Sequence, residues 1–198
     1  GCCQVFENGN GSLMRMLPFV YYIKANNFTD EEKVSIVNNA SSMTHAHEIR
    51  RLGCKIYADY LSFLLDGLDK EAALKEIRKI KYIDYYSLES IEKYKRLLSE
   101  NFKELKKEEI SSSGYIVTTL EASIWCTLNS ECFEDAVKTA VNLGKDSDTI
   151  GAITGSINGI IYGKYSIPNR WLEKLKRRNF LEDIVTNFIS SIERFEFL

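Results

Sequence analysis

Apolar residues recur every three or four positions through most of this chain, and alternating β-branched runs are few. That spacing marks helix faces, so the pattern predicts an all-α protein. Residues 13–20 predict a first helix. Thr29 with Glu32 three positions on forms a capping box and predicts a helix to about Ala40. Residues 43–48 start another, which continues through 49–65 on a stripe of Leu52, Ile56, Tyr60, Phe63 and Leu64 and stops at Asp66-Gly67. Residues 69–82 are amphipathic, with Ala73, Leu74, Ile77 and Ile80 inward and Glu71 spaced to pair with Lys75. Residues 83–107, aromatic and then highly charged, predict short surface helices without chemistry. After a break at 111–114, residues 115–125 predict a buried helix with Leu120 and Trp125 in the core. Asn129 or Ser130 is placed to cap a helix over 132–143, which Gly144 ends. Beyond Pro168 two more helices are expected, with Trp171, Leu172, Leu175, Phe180, Ile184, Val185, Phe188, Ile189 and Ile192 facing inward. Neither an internal repeat nor a domain boundary shows, so residues 1–198 predict a single domain.

One stretch, 141–163, departs from ordinary amphipathic patterning. A turn carrying Asp146, Asp148 and Thr149 leads into an apolar segment with glycine at 151, 155, 159 and 163. A spacing of four lines those glycines along one stripe of a helix. Each costs about 1 kcal/mol relative to Ala in a helix interior, so the stripe predicts a closely approaching backbone. Ile150, Ile153, Ile157, Ile160 and Ile161 surround it and predict a helix buried nearly all round. Oxygen groups at its N-terminal mouth suit a hard cation such as Mg2+. An acid before a helix is also an ordinary cap, and the residues alone leave both readings open. An EF-hand is excluded, because Ile150 and Ile157 stand where loop positions five and twelve need oxygen ligands. A P-loop is excluded too: Asp146 follows Gly144-Lys145 where Ser or Thr is required. Thr154, Ser156 and Asn158 interrupt the apolar run and exclude a membrane dimerisation helix.

Composition changes this picture little. Of 198 residues, 44% are hydrophobic and 27% charged, ordinary values for a globular protein with a sizeable core. A formal net charge of −2 gives no reason to expect nucleic acid or an anionic membrane as partner. Five cysteines, at 2, 3, 54, 126 and 132, match neither a zinc nor a disulfide framework and predict reduced thiols in the cytoplasm. No signal peptide or transmembrane run is recognisable.

Candidate chemistry lies in two further places. Residues 1–6 lead directly into a loop, 7–12, with glycine at 9 and 11, and a helix follows it. Glycines let backbone N–H groups approach an anion, and Arg15 on the first helical turn could add a charge-assisted contact. The same N-G-N-G-S is also simple turn chemistry. His45 and His47, two apart, cannot chelate one ion from a helix face. Each is either a helix-start residue bonded to backbone or, for His45, a donor to a ligand phosphate or ribose. Tyr115, directly after Gly114, is placed to line a cleft.

Four separated pieces together resemble one family. They are G-N-G-S-L-M-R-M-L-P at 9–18, T-H at 44–45, G-Y-I-V-T-T-L-E-A-S-I-W at 114–125 and N-L-G-K-D-S-D-T-I-G-A-I-T-G-S-I-N-G-I-I-Y-G at 142–163. In that order they resemble the ADP-ribosylglycohydrolases, the group that includes dinitrogenase reductase-activating glycohydrolase. The resemblance implies a compact orthogonal helix bundle and hydrolysis of the bond between ADP-ribose and a modified side chain, or of related ADP-ribose compounds. It also implies a centre of two Mg2+ ions, with Mn2+ as the substitute. Asp146, Asp148 and Thr149 then correspond to metal ligands. Asn10, Gly11, Ser12 and Arg15 correspond to the loop for ribose and diphosphate, and His45, Gly114 and Tyr115 to positions beside the nucleotide. The implied partners are ADP-ribose or an ADP-ribosylated protein.

Two departures from that pattern stand out. The family carries an N-terminal segment with a T-D-D-T-type motif and the acid/base residues, and this chain has no counterpart, so a missing preceding segment is expected. Lys145 stands where a glycine is usual. Three readings follow: a hydrolase, an ADP-ribose-binding remnant with half a metal site, or a helical protein with a structural role.

Overall fold

In the computed structural model of the chain the described residues are 8–193. Cys2, Cys3 and the approach to the first loop lie outside them. The described residues contain ten α-helices and short 3-10 turns, with no strand among them; one isolated bridge pairs Gly9 with Tyr115. No helix of the described residues is long and apolar enough to cross a membrane.

Helix α1 (Met16–Lys24) begins one 3-10 turn later than the sequence pattern suggests, after Leu13–Arg15. Pro18 stands in its first turn, where a backbone donor would have no helical acceptor. Helix α2 (Asp30–Ser42) starts at the capping box, with Thr29 Oγ1 accepting from the Glu32 amide and the Glu32 carboxylate accepting from the Thr29 amide.

Helix α3 (Glu48–Leu65) is the central strut, burying Leu52, Ile56, Tyr57, Tyr60 and Leu61. It starts later than expected because residues 43–47 form a turn, and His47 Nδ1 caps the helix by accepting from the Ile49 amide. Gly53 lies under the Tyr94 ring: a Cβ there would stand 2.3 Å from the tyrosine hydroxyl, which itself donates to Ile49 O at 2.7 Å. Helix α4 (Lys70–Lys79) is capped by Asp69, and its Glu71 pairs with Lys103 across space rather than with Lys75.

The stretch after α4 holds only the short α5 (Leu88–Glu92) and turns, but it is no mere surface layer. Tyr82, Tyr86, Tyr94, Leu97 and Phe102 are buried. Turns do not repeat at a helical period, so these core residues leave no periodic signal. Helix α6 (Ile116–Leu128) is buried along nearly its whole length, and Trp125 Nε1 donates to Leu105 O at 2.9 Å.

Helix α7 (Phe133–Val141) is preceded by Cys132 without a side-chain cap. Neither expected cap serves it. Asn129 turns back and donates to Trp125 O at the end of α6, and the buried Ser130 offers its carbonyl to Lys70. Gly144 (φ +81°) and Lys145 (φ +47°) are consecutive left-handed residues, and they reverse the chain into α8 (Ser147–Tyr162).

Helix α8 is buried on one side, not all round. Thr149, Ile150, Ile153, Thr154, Ile157 and Asn158 face the core, while Asp148 and Ala152 are exposed and the glycine stripe is half-buried. The expected close backbone is absent among the described residues. The nearest neighbour of a Cβ built at Gly151 is the Val141 side chain at 3.1 Å; at Gly155 it is Val137 at 3.9 Å, and at Gly159 there is open space. Of the polar interruptions, Asn158 ties α8 to α6, its Nδ2 donating to Thr127 Oγ1 at 2.9 Å, while Ser156 Oγ donates back to Ala152 O within α8.

The tail also differs from expectation. Trp171 of α9 (Asn169–Leu172) is half-buried and tilts against Phe133. In α10 (Arg178–Glu193), however, Phe180, Leu181, Ile184, Val185 and Ile189 are exposed, as is Leu175 before it.

Candidate functional site

Two clusters meet on the loop before α1. The loop is fixed to the start of α6 by the Gly9–Tyr115 bridge and by the Ile116 amide, which donates to Asn8 O at 3.0 Å. Those bonds put Asn10, nearly buried, beside the turn that opens α8.

The first cluster surrounds Asp146. Asn10 Nδ2 donates to Asp146 Oδ2 at 2.5 Å and to Thr119 Oγ1 at 2.8 Å. Thr149 Oγ1 donates to Asp146 Oδ1 at 3.0 Å. The Asp146 amide donates to Ser112 O, and Thr119 passes its own hydroxyl proton to Ser113 O. Gly114 completes the wall, because a Cβ there would come within 3.3 Å of Asp146 Oδ2. Asp146 does not cap α8 through its side chain; its carboxylate is turned toward the loop. Asp148, two residues further on in the first turn of α8, is exposed.

Can these residues hold a divalent ion? Asp146, Asp148 and Thr149 are hard oxygen donors, and Mg2+ is held by one or two carboxylates while keeping several waters. Their chemistry fits a hydrated Mg2+. They do not form a complete cage: among the described residues no group of three or more His, Cys, Asp or Glu side chains could hold a metal.

The second cluster surrounds His45. Its ring packs on Gly11, where a Cβ would stand 3.0 Å from Cε1. Its Nδ1 lies 2.5 Å from Thr44 Oγ1. Burial, then the charges of Arg50 and Arg15, push the His45 imidazolium to lose its proton below the ordinary pH. Arg15 is engaged by protein oxygens. Its guanidinium donates to Ala40 O, Ser41 O and Thr44 Oγ1, closing the C-terminal end of α2.

The structure therefore brings Asn10, Gly114, Asp146 and Thr149 together, and Gly11, Arg15 and His45 together. Ser12 is fully buried and faces the Cys54 thiol, leaving only its backbone for a ligand. Tyr115 is half-buried and joins the loop through its backbone. Thr119 and Thr44 are site members the sequence reading passed over. Thr119 had no signal that set it apart from Thr118, Ser123 and Thr127 on the same helix, and Thr44 had none apart from standing beside His45.

Comparison with known proteins finds relatives over most of the chain. The family model described as ADP-ribosylglycohydrolase matches residues 3–195. ADP-ribosylarginine hydrolase Tri1 of Serratia proteamaculans is 31% identical over 182 residues, covering 89% of this chain and 45% of the relative. The protein of the same name from Pseudomonas putida is 30% identical, over 84% of this chain and 42% of its own length. ADP-ribosyl-[dinitrogen reductase] glycohydrolase of Rhodospirillum rubrum is 27% identical, over 85% and 51%. A solved structure described as an ADP-ribosylglycohydrolase-related protein complex superposes with a TM-score of 0.76 at 30% identity, over 94% of this chain and 61% of that one. The chain spans about half the length of the curated relatives it matches.

Proposed function

The chain belongs to the ADP-ribosylglycohydrolase family, and on that premise we propose that it forms the nucleotide wall and part of the metal wall of a hydrolase. The bond cleaved is the glycosidic bond between ADP-ribose and a modified side chain; arginine is the residue named for the Serratia and Pseudomonas relatives. One observation carries this reading. Asn10 and Asp146, 136 positions apart, share a hydrogen bond that joins the glycine loop to the acidic turn.

In this mechanism Asn10 and Thr149 orient the Asp146 carboxylate by binding one oxygen each. Fixing a ligand group in advance reduces what must be ordered when substrate arrives. Gly9 and Gly11 keep side chains off the loop, so a diphosphate can approach its backbone. His45 borders the same loop. Asp146, Asp148 and Thr149 would hold Mg2+, which would supply a Lewis acid able to polarise ribose hydroxyls and a water.

A second reading is favoured by the small number of acidic groups. With no metal-competent cluster of three such side chains among the described residues, the chain would bind ADP-ribose without turning it over. Two measurements on the whole chain separate the readings: calorimetric ADP-ribose binding, and Mg2+-dependent release of ADP-ribose from an ADP-ribosylated arginine protein. Release supports the hydrolase, and binding alone supports the second reading. Neither, with a folded protein, removes both. Asp146→Ala is expected to abolish the Mg2+ dependence of whichever activity appears while leaving the unfolding midpoint close to that of the parent. A large loss of stability without any metal dependence would return Asp146 to a structural role.

A further inference from the structure

We propose that Arg15 and Thr44 are positioning residues that hold His45 as a neutral imidazole with its proton on Nε2, making it a hydrogen-bond donor toward ligand oxygens in the cleft. The tautomer rests on the hydrogen bonds and charges around the ring, whatever the ligand; the donor's role rests on the ADP-ribose reading above.

The turn carrying His45 is fixed at both ends of its peptide. The His45 amide donates to Ser41 O at 2.8 Å, and Ser41 Oγ donates to His45 O at 3.0 Å. Over this turn lies the Arg15 guanidinium, which reaches Ala40 O with Nε and Nη2 at 3.2 and 3.0 Å and Thr44 Oγ1 with Nη2 at 2.5 Å. A guanidinium has only protons to offer, so Thr44 Oγ1 accepts there. An oxygen that accepts from a cation becomes a stronger donor. The nearest strong acceptor for its proton is His45 Nδ1, 2.5 Å away.

The opposite arrangement places a proton on Nδ1, pointing at a hydroxyl that the guanidinium already polarises. The two charged groups acting on the ring, Arg50 of α3 and Arg15, are both cations and disfavour a second ring proton. The tautomer left is Nε2–H. The ring edge that bears it lies against Gly11, where a Cβ would be 3.4 Å from Nε2. Gly11 adjoins Asn10, whose amide already serves Asp146. A neutral donor at that place suits a ribose hydroxyl or a phosphate oxygen. It does not suit the abstraction of a proton.

The test is long-range 1H–15N correlation of the two histidines in the full chain, with His47→Gln assigning the His45 signal. The expected spectrum shows a protonated Nε2 and an acceptor Nδ1 from neutral pH down past the usual imidazole range. Thr44→Ser keeps this signature. Thr44→Val, at an exposed position that tolerates the change, moves Nδ1 toward the shift of an acceptor that receives no hydrogen bond and admits a fraction of the Nδ1–H form. A wild-type signal with the proton on Nδ1, or a Thr44→Val spectrum like the parent's, overturns the proposal. Adding ADP-ribose is expected to shift His45 Nε2, and Thr44→Val to weaken binding about fivefold, the worth of one modest hydrogen bond. ADP-ribose that binds without moving Nε2 overturns the donor role. Failure of the wider reading looks different: ADP-ribose does not bind at all, while the Nε2–H signature is present in the free chain.

Discussion

Helices α8 and α10 each have sixteen residues and an apolar stripe, yet one lies in the core and the other lies against solvent. Ile150, Ile153 and Ile157 of α8 are at most 1% exposed, whereas Ile184, Val185 and Ile189 of α10 are about half exposed. Nothing within the helices makes that difference. Helix α8 packs against α3, α6 and α7 at once, and its Asn158 finds a partner on α6. Helix α10 faces α1 across an open apolar gap lined by Leu17, Pro18, Tyr21, Phe188 and Ile192. Periodicity shows which face of a helix is apolar; whether that face is covered depends on residues elsewhere in the chain.

Truncating the α8 stripe tests the buried side of this contrast and carries the largest effect. Ile157→Ala removes a fully buried side chain with no room for collapse between packed helices. Its expected cost is about 3 kcal/mol in urea unfolding, within the usual range for such cavities. A loss under about 1 kcal/mol would place α8 nearer to α10 than the structure does.

The elements differ in how readily they could be read from sequence, and the reason is range. The Thr29–Glu32 box and the stop at Asp66-Gly67 are local chemistry, decided within four residues, and the sequence showed both; the Asp69 cap is equally local but was not singled out. Glu71 could not be read, because Lys103 lies 32 positions away and no pattern reports the approach. Nor could the bonds of Arg15 be read: the carbonyls it reaches at the end of α2 lie 25 and 26 positions away. In the site, the residue types of the Asp146 turn and the glycine loop pointed to oxygen-rich chemistry. The bond from Asn10 to Asp146 and the chain from Arg15 to His45 depend on folded distances alone.

The glycine stripe of α8 gives an intermediate effect of opposite sign. A side chain at Gly159 meets open space, so Gly159→Ala should gain about 1 kcal/mol from helix propensity, read as a higher unfolding midpoint. Gly151→Ala should gain less, because its Cβ would press on Val141 at 3.1 Å and the half-exposed valine must turn aside. A loss at Gly159 would show that another backbone does lie along the stripe in solution. The one-sided burial of α8 would then have to be revised.

The smallest expected effect is on α10, and it sharpens the comparison most. Ile184 is 49% exposed, so Ile184→Ser gives up little burial on folding. A substitution of this kind away from packed features is expected to change stability by no more than about 0.5 kcal/mol. Concentration decides between the two ways a larger value could arise. If Ile184→Ser costs well over that amount, and the parent's unfolding midpoint rises with protein concentration, copies of the chain cover the stripe in one another, since association stabilises by mass action. If the cost is large but independent of concentration, α10 packs more closely onto α1 than the open gap at Leu17 and Tyr21 allows. A near-zero cost leaves the contrast intact: equal stripes, one buried by three neighbouring helices and one facing an empty groove.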